Sequence, residues 1–320
     1  THCISSAASD VYKRQVQGSD VAAHSAGVLD IKTNILANTD ALYLTAIDKY
    51  GHELWRWTFP VDKLNQQTEP ISLLSIRPTY TETENDLTVK ANKRTFIFSK
   101  KDGQLKGVSV DNRKISFANG PRFIGARRAD RSLDQFYNHD DEKAKEKDRT
   151  YSEFPDAAVF TKLDVKQDGG DLIVTANYKL GNLDKAQWTI SPSGDLVLDY
   201  TYNFSGVVDL MGICFDYPED QVISKRWLGA GPYRVWQNRI HGTQYDVWEN
   251  DYNDPIPGET FTYPEFKGYF GDVSWMNIRT KEGIISLTNE TPDAYVGVYQ
   301  PRDGRDPVSY THLTLPTICS

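Results

Sequence analysis

The sequence predicts an all-β protein organised around a large antiparallel β-sandwich. Three observations lead there. Short runs of alternating apolar and polar residues recur along the chain, turns bearing Gly, Pro and Asp separate them, and no long apolar-periodic helix interrupts them.

Taken in order, the first strand-like run is the aromatic stretch Leu54 to Phe59. Thr95 to Phe98 and Leu105 to Val110 follow, joined through Lys101-Asp102-Gly103. Val159 to Val165 and Leu172 to Leu180 are joined through Asp168-Gly169-Gly170. In the second of these, Leu172, Val174, Ala176, Tyr178 and Leu180 share one face, while Thr175, Asn177 and Lys179 take the other. Leu196 to Phe204 alternates in the same way, with Leu196, Leu198, Tyr200, Tyr202 and Phe204 on one side. Ser191-Pro192-Ser193-Gly194 and Lys281-Glu282-Gly283 supply further tight turns.

A domain boundary is expected at the polar stretch Asn65-Gln66-Gln67-Thr68-Glu69-Pro70. The preceding piece, residues 16–67, is too short for a complete immunoglobulin-like sandwich and is expected to be the tail of one. Residues 68–307 then form the large sandwich. The ends stand apart: Thr1 to Gln15 and Val308 to Ser320 resemble peptides produced when sequencing-adapter DNA is translated in frame. They are expected to be artefacts outside the natural protein, without defined contacts to the sandwich.

The chain has 320 residues, 39% of them hydrophobic and 12% aromatic, enough for one large core or two ordinary ones. The formal net charge is -8, and removing Asp10, Lys13 and Arg14 with the ends takes away +1 and leaves -9. No dense Lys/Arg stripe exists to displace counterions, so nucleic acid is not expected as a partner. No stretch approaches the ~20 apolar residues of a bilayer-spanning helix. Of the cysteines, Cys3 and Cys319 lie in the suspect ends, and Cys214 in Met211-Gly212-Ile213-Cys214-Phe215 reads as a buried inert thiol. The mixed-sign run His139 to Asp148 reads as a solvated loop or short helix; interleaved lysines argue against a calcium loop. No metal or cofactor is assigned.

The richest segment is Lys225 to Trp248, with three Trp, two Tyr, three Arg and His241 around Gly229, Gly231 and Gly242. Aromatic rings with guanidinium donors at their edges suit pyranose stacking and protein interfaces alike. The competing reading is that Trp227, Trp236 and Trp248 fill the sandwich core, and for the tryptophans that reading is favoured. The candidate sugar-binding or docking set is Trp227, Tyr233, Arg234, Trp236, Asn238, Arg239 and His241.

Trp227-Leu228-Gly229-Ala230-Gly231-Pro232 followed by Asn238-Arg239 resembles the Trp-Leu-Gly-x-Gly-Pro and Asp-Arg signature of the C-terminal small-chain domain of glycoside hydrolase family 2 β-galactosidases. Tyr263-Pro264-Glu265-Phe266-Lys267-Gly268, Val273-Ser274-Trp275, Phe96 to Gly103, Gly120-Pro121-Arg122-Phe123 and Arg127-Arg128 are similar to further segments of that domain. Two departures stand out. Ala129-Asp130-Arg131 replaces the family's Asp-Asn-Asp, and Asn238 stands where Asp is usual.

The resemblance implies a galactose-mutarotase-like supersandwich that packs on a catalytic (β/α)₈ barrel of the same parent chain, with an immunoglobulin-like domain before it. It implies a bacterial parent that hydrolyses terminal β-galactosides or related β-glycosides with retention, in the periplasm or outside the cell. The family's two catalytic glutamates, like its metal ions, belong to the barrel, so the fragment itself is expected to be inactive and its carbohydrate substrate to be met through the parent enzyme. Asn289-Glu290 imitates the family's acid/base motif but sits where no βα repeat precedes it, and reads instead as a turn before Pro292. A stand-alone carbohydrate-binding or mutarotase-like sandwich, with His241 and Glu265 facing one sugar, is the alternative.

Overall fold

A computed structural model describes residues 15–16, 21–30, 39, 41–61, 77–128, 151–154, 158–206, 210–234, 237–252, 269–291, 293–299 and 310–317; of residues 126–128, 151–154, 210, 237–239, 299 and 310–317 it describes the backbone alone. The described chain is β-structure joined by turns, with short 3₁₀ turns at Glu219–Gln221 and Gln237–Gly242, as the alternating pattern predicts. Among the described residues no helix is long and apolar enough to cross a membrane.

An isolated antiparallel hairpin comes first, β1 (Ala41–Ile47) with β2 (Glu53–Pro60). A long sheet begins as a meander of β3 (Thr79–Glu82), β4 (Asp86–Ala91), β5 (Arg94–Ser99) and β6 (Leu105–Val110), with β7 (Arg113–Ile115) on its side. It turns a corner at the single pairing Leu105↔Gly120 into β8 (Ala118–Arg128), which also carries β9 (Tyr151–Phe154). Beyond the corner it continues through β14 (Leu210–Pro218). Two four-stranded sheets complete the sandwich. One runs in order β10 (Val159–Asp168), β11 (Asp171–Lys179), β12 (Leu183–Ile190), β13 (Leu196–Tyr202). The other has the order β16 (Gln244–Asp251), β15 (Val222–Gly231), β17 (Trp275–Thr280), β18 (Gly283–Thr288).

Period-two alternation puts one face of each strand into a shared core. Leu87, Val89, Phe96 and Phe98 of the meander, Leu172, Val174, Trp188 and Ile190 of the β10–β13 sheet, and Trp227, Met276 and Ile278 of the β15 sheet meet Ile213, Phe215 and Tyr217 of β14. The Trp188 ring centroid lies 5.9 Å from that of Phe98 and 5.9 Å from that of Phe215, tying the layers together. Cys214, on the other face of β14, is buried as the sequence reading expects, with the Arg122 guanidinium 3.7 Å from its sulfur.

The strands expected from sequence are present, with two local differences at their ends. Leu172, Val174 and Ala176 are buried together, but β11 stops at Lys179, and Leu180 adopts φ +60° and is 75% exposed. The chain must turn there toward β12, so the alternating face ends one residue pair early. Phe204 likewise lies past the end of β13, yet stacks on Phe123 with centroids 5.9 Å apart.

The expectation that residues 308–320 lack contacts with the sandwich is corrected for Tyr310–Thr317. These residues form β20, which sits between β14 and β19 (Tyr295–Tyr299) and pairs antiparallel with both. Its Thr, Leu and Tyr residues favour extended backbone, and the strands on either side offer main-chain groups that need partners. Residues 1–14, the boundary at 65–70 and the charged run 139–148 lie outside the described residues.

Candidate functional site

β15 and β16 pair in register from Ser224↔Asp251 to Gly231↔Gln244, and the 3₁₀ turn Gln237–Gly242 lies on the connection between them. Near the start of β15 the chain is committed to the interior. Trp227 is 0% exposed, its ring 4.5 Å from that of Phe270, and its indole N–H donates to the Ala230 carbonyl at 3.0 Å. Lys225 is buried beside it: its Nζ donates to the Asp251 carbonyl at 2.7 Å and lies 5.5 Å from the Phe270 ring centroid.

The Gly-Ala-Gly step that follows is dictated by close packing. A Cβ on Gly229 would come within 2.9 Å of Val273 Cα, and one on Gly231 would collide with the indole of Trp248. The backbone at this step is also pinned to the segment before β17: Ala230 N–H donates to Gly271 O, and Ser274 N–H to Leu228 O, both at 2.9 Å. Only glycine lets two strands and an indole approach this closely. Gly231→Ala is therefore expected to lower stability by about 2 kcal/mol through overpacking, read as a lower urea midpoint at unchanged slope. An unchanged midpoint would show that Trp248 moves aside freely.

Past Gly231 burial is uneven. Tyr233 is half-buried, with its hydroxyl beside Gly242; Arg234 is 6% exposed; His241 is exposed on the 3₁₀ turn. The backbone of Asn238 and Arg239 belongs to the same turn, their side chains and the whole of Trp236 lying outside the described residues. Within the described part, Tyr233, Arg234 and His241 thus lie on this one connection, with Arg234 buried and only Tyr233 and His241 offering surface. Trp227 stands apart from them: it has no exposed surface on which a sugar ring could stack, and it serves as the floor of the segment. Glu265, the partner named for His241 in the mutarotase-like alternative, is outside the described residues.

Other acidic groups have structural partners. Asn289 closes a turn before Pro292, accepting from Thr291 N–H at 3.1 Å and donating to the Thr291 carbonyl at 3.2 Å, and it leaves Glu290 exposed. Asp216 accepts from Arg122 and from Asn119 Nδ2 at 3.0 Å. Burial opposes the charge on Arg122, but the Asp216 carboxylate and the Cys214 sulfur together outweigh it and hold the guanidinium more firmly protonated than usual. Among the described residues no group of three or more His, Cys, Asp and Glu side chains is arranged to hold a metal ion.

One long-range contact beside the segment was not visible in the sequence. Asp246 of β16 accepts from the Tyr43 hydroxyl of β1 at 2.6 Å and lies 4.0 Å from Arg56 of β2, whose guanidinium also sits 5.7 Å from the Tyr43 ring centroid. Burial and the Asp246 carboxylate together raise the Tyr43 pKa, so its hydroxyl stays a donor throughout the physiological range. This contact joins the first hairpin to the sandwich beside the candidate segment. Nothing in the spacing of Tyr43 and Asp246 in the chain announces it.

The sequence model of the family described as beta galactosidase small chain matches residues 90–307. No curated protein matches the chain.

Proposed function

Because the chain belongs to the β-galactosidase small-chain family, we propose that it is the non-catalytic C-terminal sandwich region of a retaining exo-β-glycosidase, acting in carbohydrate breakdown on terminal β-galactosides. The observation that carries this reading is the family match itself, laid over an architecture made of antiparallel sheets. In this reading the catalytic barrel is supplied by the parent enzyme. The β15–β16 connection, with Tyr233, Arg234, Trp236, Asn238, Arg239 and His241, faces it, and Trp227 supports that connection from below.

A partly exposed Tyr233 at the end of a rigid sheet suits such a contact, because it brings large area and a directional donor with little conformational freedom to lose, and the buried Arg234 supports the connection from within. The first hairpin supports the proposed immunoglobulin-like remnant at residues 16–67. Its register puts Leu42, Leu44, Ala46, Trp55, Trp57 and Phe59 on one face, and Trp55, Trp57 and Phe59 remain about half exposed. A sheet face of that composition suits the inner face of a sandwich. The same reading puts the parent enzyme in the periplasm or outside the cell, which fractionation with an antibody to the chain checks.

The purified chain is expected to release no nitrophenol from a panel of aryl β-glycosides beyond a heat-killed control, and the complete gene is expected to encode a barrel before Val16. Turnover by the chain, faster interconversion of α- and β-galactose in its presence, or a gene without a barrel would each sink the proposal.

A further inference from the structure

We propose that the gap between β14 and β19 is a strand-acceptor slot, a peptide-binding site that holds one extended segment by main-chain pairing on both of its edges, with β20 as an exchangeable occupant. β20 pairs with β14 from Ile213↔Leu315 to Pro218↔Tyr310, and with β19 from Tyr295↔Thr317 to Tyr299↔His312. The region that matches the family ends at residue 307, before this strand begins.

The walls of the slot are held by contacts in which β20 takes no part. On its other edge β14 pairs with β8, from Leu210↔Ala126 to Asp216↔Ala118, and Ile213, Phe215 and Tyr217 lie in the core. β19 is held by a two-way bridge, in which Phe270 N–H donates to Val296 O and Val296 N–H to Phe270 O, both at 2.9 Å, and by the buried side chains of Val296 and Val298. Withdrawal of β20 would leave two anchored strands with facing rows of unpaired donors and acceptors, the arrangement that recruits an added strand.

The register states what the slot requires of its occupant. Between Tyr295↔Thr317 and Gly297↔Thr314, two residues of β20, Leu315 and Pro316, stand opposite Val296 alone, and both main-chain groups of Val296 are spent on Phe270. Pairing with β14 ends at Leu315. No main-chain donor is therefore called for at position 316, and proline is tolerated there as at other bulges. From residue 312 to 314 both edges are engaged, while 310, 311 and 315 pair with β14 alone; proline or any other residue without an N–H is excluded from the positions where that N–H is needed. The partner that fits is an extended peptide of about eight residues, rich in strand-forming side chains. The covalent tether keeps β20 in place by making its binding intramolecular, at an effective concentration that a free peptide must exceed.

The test uses the full chain with a protease site inserted between residues 300 and 309. After cleavage, the released strand is challenged with excess isotopically labelled synthetic peptide of residues 308–320, and the protein is recovered by gel filtration. The expected result is one labelled peptide per chain in place of the cleaved strand. Two further versions of the peptide, N-methylated at alternate residues so that each loses the donors facing one edge, are expected to enter at least tenfold less. The proposal is overturned if the cleaved strand stays and no label enters, if the strand leaves and no label binds, or if the N-methylated peptides enter as well as the parent. It is also overturned if, in the uncut chain, the amides of residues 311–315 exchange with solvent as fast as those of the free peptide. None of these outcomes depends on the enzymatic reading of the parent, because none measures glycoside chemistry.

Discussion

Replacing Trp227 with alanine is expected to lower the unfolding free energy by about 4 kcal/mol, within the range for deleting a fully buried large aromatic side chain. The ring is 0% exposed and packs on Phe270, and its N–H is bonded within the same strand, so the truncation leaves a large apolar cavity and frees the Ala230 carbonyl. Trp227→Phe keeps most of the volume and loses the one hydrogen bond, so it is expected to cost about half as much. Urea unfolding followed by circular dichroism measures both. A loss under about 1 kcal/mol for the alanine variant would show that Trp227 is not structural, and the tryptophan would return to the candidate site as a stacking surface. The contrast with His241→Ala is informative: that side chain is exposed on the 3₁₀ turn, and its removal is expected to shift stability by less than about 0.5 kcal/mol.

Trp227 also shows where sequence reading works and where it stops. Alternation placed Leu172, Val174 and Ala176 on one buried face and located the turns before β6, β11, β13 and β18, because side-chain period and turn chemistry are local properties. The Trp-Leu-Gly-x-Gly-Pro resemblance pointed to the right family. What the glycines do in it was not legible, since their neighbours, Val273 and Trp248, are brought in by the segment before β17 and by β16. The candidate residues were chosen by composition, and composition does not say which side of a strand a residue faces. For Trp227 the core reading, the one favoured for the tryptophans, holds: its strand partner Trp248 and the core residue Phe270 pack around it, and it is fully buried. The Asp246 contact with Tyr43 and the insertion of β20 between β14 and β19 are long-range events of the same kind.

The Glu282 side chain gives the second large effect, and its pH dependence has a definite sign. Glu282 lies in the turn between β17 and β18, and its carboxylate reaches the long sheet, where it accepts from Ser116 N–H at 2.8 Å, Ser116 Oγ at 2.7 Å and the Tyr217 hydroxyl at 2.7 Å. Partial burial works against its ionisation, but these donors, with Lys114 nearby, outweigh it, and the carboxyl is held below its ordinary pKa. Glu282→Ala removes one acceptor and leaves three donors to find others, one of them on the buried Tyr217. Bonds to a charged acceptor are each worth roughly 1.5–3 kcal/mol when shielded, and the turn is partly open to water, so a loss of about 3 kcal/mol is expected. A carboxyl with a lowered folded-state pKa contributes its stability above the unfolded-state value of 4.5, and the contribution is lost as pH falls through the folded-state value. The wild-type chain should thus lose more stability than Glu282→Gln on acidification from about pH 6 to pH 3, with the two curves converging at the acid end. Parallel curves over that window would show that the carboxylate is no better solvated in the folded chain than in the unfolded one, and that the two sheets are joined by their apolar contacts alone.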